Sequence, residues 1–336
     1  MASRTKRPLQ PSDSAAIARA LRSDSDLLRY AEWWVRRRIY GLSDQEARWL
    51  YDRYLDAYKR MVAALPTAYD GNGDPQLQQR AALLDQIERE MRALTGAVDT
   101  HLTNTILDAF RQGAMGRGWA LDSATGAQVR VRLPMLPAEA IRALLLTEYV
   151  GQQWSATLMY DRDDFITRIK RGLTQSMIQG EGMAAAQRRV RDELGIQTDR
   201  RKGFKRNFYR TLLIARTEIM RASNLGALAT YEQNQDVLNG WEWAAARDER
   251  VCRVCGALDG KTFGFGDPQL APPSGSHPGC RCTPVPWIKD AFMADDARVR
   301  QTYAEWAAER GISWMDDGGL ASQRSTTAHG LNRTSN

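Results

Sequence analysis

An α+β fold, mostly α-helical, is what this sequence predicts: long N-terminal helices, a helical middle region and a small C-terminal β-hairpin module pinned by a metal. Three observations carry that reading. Apolar residues recur at spacings of three and four over most of the chain before Asn234, which is the helical period. Alternation at every second position is confined to residues 128–133 and to residues 240–265, where Trp241 and Trp243 precede Phe263 and Phe265. All four cysteines, and one of the three histidines, lie between Cys252 and Cys282.

The chain of 336 residues is long enough for more than one core. Its expected divisions are a disordered basic arm (1–12), an N-terminal helical region (13–118) and a helical middle region (119–200). A domain carrying the Cys/His cluster (201–290), a C-terminal helix (291–315) and a disordered polar tail (316–336) follow. Within the first helical region, Ser43 and Glu46 read as a capping box. The stripe Ala47, Leu50, Tyr54, Ala57, Met61 and Leu65 runs on from it. Residues 66–75 break the pattern, and Asp74-Pro75 reads as the next helix start. A second stripe runs from Leu77 through Ile87, Met91, Leu94, Val98 and Leu102 to Phe110. The two helices are expected to pack as an antiparallel hairpin or to offer their stripes to another subunit. Gly113, Gly116 and Gly118 read as the end of that region, and 128–133 as a short strand stopped by Pro134.

Helices are expected next at 138–154, at 163–178 and, after Gly180 and Gly182, up to Gly195. A long helix over 208–234 buries Leu212, Ala215, Ile219, Ala222, Gly226 and Ala229. Arg216 and Glu218 fall off this stripe, and Glu218 has Arg221 within reach at i, i+3. Residues 240–246 form a strand, the Asp259-Gly260 turn follows, and Phe263 with Phe265 marks a return strand. A further helix passes through Tyr303, Trp306 and Ala307.

The cysteines carry the chemistry. Cys252-x-x-Cys255 aims two sulfurs at one point, and His277-x-x-Cys280 forms a second pair across a Gly/Pro-rich loop. This describes a structural zinc site better than a disulfide framework. The set has one ligand more than a tetrahedral ion needs. Cys252, Cys255, His277 and Cys280 are the expected ligands, with Cys282 as substitute, because residues two apart on an extended chain point to opposite faces. Two disulfides, or reduced cysteines in a small core, are the other readings. Residues 1–13 are polar and basic with no apolar core of a signal peptide, which favours a reducing cytosol where disulfides rarely persist.

Net charge is +7, which suits contact with nucleic acid or an acidic surface. The densest basic cluster, Arg200, Arg201, Lys202, Lys205, Arg206 and Arg210, is interleaved with aromatics and is the candidate phosphate-binding stretch. The alternative is a solvated loop and first helical turn. No run of 18 apolar residues exists, so no membrane span is expected. Nor is an enzyme: there is no Ser/His/Asp order and no glycine-rich phosphate loop.

The ordered set of Ala215-Arg-Thr-Glu218, Ala222-x-Asn224-x-Gly226, Tyr231, 241–246, Asp248-x-Arg250-x-Cys252-x-x-Cys255, Leu258-Asp-Gly260 and His277-Pro-x-Cys-Arg-Cys282 resembles the C-terminal domain of phage head-morphogenesis proteins, the Mu protein F-like minor capsid family. The resemblance covers about 163–287, and its ending is its most specific part. It implies a minor capsid protein of a tailed-phage head, found in the host cytoplasm during assembly and then in the virion. It also implies docking on the portal protein, or on major capsid or scaffold protein, and help with procapsid assembly, DNA packaging or ejection. The N-terminal helical region carries no motif of the family. The alternative reading is a zinc-containing nucleic-acid-binding protein acting on the packaged genome.

Overall fold

The two apolar stripes become helices of 41 and 45 residues, α1 (Asp24–Ala64) and α2 (Arg80–Ala124). At 1.5 Å per residue, α2 alone is about 68 Å long. The computed structural model describes residues 24–145, 154–195, 206–246, 251–294 and 303–312. The basic arm, the polar tail and the Arg200–Lys205 part of the basic cluster lie outside those residues. The helices form the expected antiparallel hairpin. Leu50, Tyr54, Ala57 and Met61 of α1 are buried, as are Leu83, Ile87, Met91, Leu94, Val98 and Leu102 of α2. The α2 stripe starts at Leu83, whereas Leu77 stays exposed in a short 3₁₀ turn, Leu77–Gln79.

Four more helices complete the helical body: α3 (Ala138–Leu145), α4 (Trp154–Ile178), α5 (Met183–Leu194) and α6 (Arg206–Gln233). Gly195 ends α5 at φ 75°, the left-handed conformation in which a Cβ is unfavourable. Helix α6 lies along α2 and also touches α1, and its stripe from Leu212 to Ala222 joins their core. Among the described residues, no helix is long and apolar enough to cross a membrane.

Three local expectations are corrected. Ser43 and Glu46 do not start a helix, because α1 continues through them and both are buried. Glu46 reaches sideways instead: its carboxylate lies 2.9 Å from His101 Nε2 and accepts from Thr105 Oγ1 on α2. Trp49 stacks on that imidazole with centroids 3.7 Å apart. Gly113, Gly116 and Gly118 do not end α2, which runs on to Ala124. They are places where neighbours come close. A Cβ on Gly113 would sit 2.1 Å from the Ser223 carbonyl oxygen of α6, and one on Gly226 of α6 would sit 2.1 Å from the Phe110 carbonyl oxygen. Tertiary contact overrides glycine's weak helix propensity there. Residues 128–133 form no strand. Arg132 pairs its backbone N–H and C=O with the Asn234 side-chain amide (2.9 and 2.8 Å), which stands in for a neighbouring strand.

The sheet has three antiparallel strands in the order β2-β1-β3: β1 (Leu238–Ala244), β2 (Thr262–Gly264) and β3 (Thr283–Ile288). The expected hairpin is β1 with β2, in which Trp241 lies opposite Phe263 with ring centroids 4.6 Å apart. Strand β3 pairs along the other side of β1, with Trp243 opposite Pro284. The sequence disguised it, since Pro284 and Pro286 argue against a strand. Two prolines two apart miss their N–H groups on the same side, and on an edge strand that side faces away from the partner. A short helix, α7 (Arg253–Leu258), stands between β1 and β2. After Asp290–Phe292, the next described element is α8 (Tyr303–Glu309), so the expected 291–315 helix is described only in part. It packs on the end of α2, where Asp122 accepts from Trp306 Nε1 (3.1 Å) and Arg310 (3.3 Å).

Candidate metal centre

Strand β1 hands the chain to Cys252, which caps α7: its sulfur accepts the Cys255 backbone N–H at 3.3 Å. One turn of helix brings Cys255 alongside. The hairpin behind them is held by Trp243 N–H to Lys261 O and Gly260 N–H to Trp243 O, both 2.8 Å. The Asp259 carboxylate adds a bond from the Ala245 N–H at 2.9 Å. The loop from 265 to 282 then returns His277, Cys280 and Cys282 to the same place.

Cys255 is the hub of the cluster. Its sulfur lies 3.6 Å from His277 Nε2 and 3.6 Å from Cys280 Sγ. The ligand atoms of Cys252, Cys255 and His277 all lie within 4.8 Å of one another, and so do those of Cys255, Cys280 and Cys282. The five expected ligands are therefore brought together as two triads sharing one sulfur. The expectation that Cys280 and Cys282 point to opposite faces is overturned, because the loop turns between them and the Cys282 N–H points at Cys280 Sγ (3.4 Å). All four cysteines are free thiols, and Cys255, Cys280 and Cys282 are buried.

The donor chemistry fits zinc. Soft sulfurs and an imidazole nitrogen are its preferred ligands. His277 Nδ1 lies 2.9 Å from the Pro278 carbonyl oxygen, which can only accept, so that nitrogen carries a proton, and Nε2 is the ring nitrogen that faces Cys255. The thiols polarise one another. A bond from the Cys282 thiol holds Cys280 down to about 5 and raises Cys282 in turn. Burial pushes Cys255 up to about 12. The Cys255 backbone N–H holds Cys252 below the usual thiol range, and the Pro278 carbonyl raises His277. Thiolate character thus concentrates at Cys252 and Cys280, on either side of Cys255. A bound cation would displace the remaining thiol protons.

The loop is gripped from two sides. On α6, Thr217, Asn224 and Tyr231 recur every seventh residue and face it. Thr217 Oγ1 accepts the Gly279 N–H (2.8 Å), and Asn224 Nδ2 donates to Pro272 O (2.7 Å) and Cys282 O (3.0 Å). Thr283 Oγ1 donates to Asn224 Oδ1 (2.9 Å), and the Tyr231 hydroxyl donates to Pro284 O (3.1 Å). Arg117 of α2 donates to the Thr283 hydroxyl from within the core. From the other side, α1 supplies Arg36, which binds the carbonyls of Ala245 (3.0 Å) and Ala244 (3.1 Å), and Tyr40, which binds Arg281 O (2.9 Å). Thr217, Asn224 and Tyr231 stand in the family-like motifs, and their seven-residue spacing was the available signal of this role. Nothing in the sequence marked Arg36 or Tyr40.

Glu218 is not on a solvated face. It is buried and accepts from Arg221 at 3.1 Å; burial raises its carboxyl pKa. Of the basic cluster, Arg210 is within the described residues as an ion pair with Asp161 (2.7 Å), and Arg206 opens α6. Asp248 and Arg250 lie outside them.

Residues 167–285, about a third of the chain, match the family model described as phage Mu protein F like protein. That segment runs from α4 to β3 and holds all five candidate ligands and the α6 grip. No curated protein matches, and no solved structure does.

Proposed function

Because residues 167–285 carry the phage Mu protein F-like domain, we propose that this chain is a minor head protein of a tailed phage, with that domain held rigid by one structural zinc ion. The family match is the observation that carries the reading. The role is docking on the portal protein or the inner shell, with major capsid or scaffold protein as neighbours, during procapsid assembly, DNA packaging or ejection. The zinc ligands are Cys252, Cys255, His277 and Cys280, and Cys282 lies beside them as the substitute. A zinc ion held by these residues would supply a charge-compensated cross-link between the short helix α7 and the loop. The chain's own part is to pre-orient the donors, through the Pro278 carbonyl at His277 and the Thr217 and Asn224 bonds to the loop backbone.

The test is co-purification of tagged full-length protein with the portal oligomer of the same phage, beside deletion of its gene. Stable association, and particles defective in assembly, DNA content or infectivity, are expected. Normal particles from the deletion strain, with no association to portal or shell, would refute the role. Metal analysis of the purified chain is a separate test and should return one zinc per chain.

A further inference from the structure

A cleft of about 610 Å³ opens beside the Cys/His loop, within the usual size range of small-ligand sites. Helix α6 forms one wall with Tyr209 and Arg216, α1 a second with Tyr40, Ser43 and Asp44, and the loop from Pro278 to Arg281 the third. Leu212, Met220 and Cys280, all buried, form an apolar floor.

The composition of the walls is specific. In the Arg216-Thr217-Glu218 run, Thr217 holds the loop and Glu218 pairs with Arg221 in the interior. Arg216 serves neither purpose. Its side chain is 43% exposed, and Asp44, 3.8 Å away and itself 73% exposed, is its ionic partner. Such a distant, solvated pair holds an arginine weakly. Two turns earlier on the same helix, Tyr209 lines the cleft and is 51% exposed, so its ring is open to a ligand. Arg281 lines the facing wall, its carbonyl fixed by Tyr40. Guanidinium groups match phosphate oxygens in fork geometry, and an exposed ring offers a stacking face for a base.

We infer that this cleft binds a nucleotide unit, its phosphate on Arg216 and its base against Tyr209. The unit comes either from a free nucleotide or from a nucleic-acid strand passing through the cleft. An acidic peptide would use the arginines and leave the tyrosine unexplained. The inference is independent of docking in the phage head, and its failure would leave that reading standing. It does depend on the loop, so metal loss would also open one wall.

The test is fluorescence anisotropy of the full chain with a labelled ten-nucleotide single strand, with deoxyadenosine monophosphate as competitor. The expected result is saturable binding that weakens with salt. Arg216→Ala should lower affinity about tenfold and reduce the salt slope by about one. Arg216→Lys should restore part of it. Tyr209→Ala should lower affinity about fivefold or more without changing the salt slope. Asp44→Asn should tighten binding, because it removes a carboxylate across the cleft. Unchanged melting and metal content in each variant would separate these effects from unfolding. Competition by the mononucleotide at millimolar concentration would identify a nucleotide pocket, and its failure to compete a strand groove. No binding of either probe would overturn the inference. So would affinity indifferent to Arg216 and Tyr209 but lost on neutralising Arg200, Arg201, Lys202 and Lys205.

Discussion

The α1/α2 hairpin and the Cys/His module hold themselves together in opposite ways. The hairpin buries long rows of interchangeable apolar side chains, Leu50 to Met61 against Leu83 to Leu102. Each makes a similar contribution, so no single one is decisive. The module has a three-stranded sheet with one strand of three residues, and a long loop between β2 and β3 with little apolar content. Beside a small apolar cluster around Trp241, Trp243 and Ile288, it relies on a few directional contacts: four possible ligand atoms around the Cys255 sulfur, and side chains of α1 and α6 on its backbone carbonyls. A region built by volume should fail gradually, and one that rests on a few directional contacts should fail at once.

The largest effect expected is at the hub. Cys255→Ser, or strong chelation of the wild-type chain, should abolish metal retention and release hydrogen-exchange protection across 238–288, since structural zinc contributes roughly 10 kcal/mol or more in small modules. The α1/α2 helices should keep most of their protection. Identical exchange with and without chelator would remove the distinction between the regions. A smaller effect belongs to the hairpin. Leu102→Ala should lower unfolding free energy by about 2–5 kcal/mol in denaturant titration, with zinc still bound. Loss of zinc in that variant would mean that the two regions fold as one unit.

Asn224→Ala sharpens the contrast from the other side. It takes the Asn224 donor from the Pro272 and Cys282 carbonyls and the acceptor from the Thr283 hydroxyl, and should destabilise by about 1–3 kcal/mol. Zinc should also dissociate faster in a competition assay, which a purely global loss such as Leu102→Ala should not produce. The smallest effect is on the surface of the helical body. Bonds from Lys170 and Arg92 hold the Glu88 carboxyl down to about 2. A depressed acid contributes stability that is present above its unfolded pKa and lost as pH falls through the folded value. Glu88→Gln should therefore lower stability slightly at neutrality and flatten the acid limb between about pH 4.5 and 2, where variant and wild type converge. An unaltered acid limb would show that this solvent-exposed pair contributes nothing measurable.

The same contrast decides what could be read in advance. Helical stripes are local, so Met61 or Val98 could be placed from spacing alone, and the thiol spacing announced the Cys/His cluster. Other features depended on contacts distant in sequence. Gly113 looked like a helix stop because its partner, Ser223, is more than a hundred residues away. Glu46 looked like a cap because His101 and Thr105 lie on the next helix. Strand β3 was hidden by prolines that only an edge position tolerates, and Cys282 was ranked as a substitute by an extended-chain argument that the nearness of its sulfur to those of Cys255 and Cys280 cancels. Arg36 and Tyr40 left no trace, since an arginine and a tyrosine four apart on a long helix are ordinary until their acceptors are known.

Those two residues bear on portability. The family segment begins at residue 167, yet the carbonyls of Ala244, Ala245 and Arg281 are held by side chains some hundred and thirty positions before it. A transplanted 167–285 fragment would carry every sulfur and lose one jaw of the vice that closes on them. In a chimaera with a different front half, the new partner would have to present a guanidinium and a hydroxyl one helical turn apart. The front half of this chain is therefore an integral wall of the domain that follows, and exchanging it between chains would be constrained at those two positions.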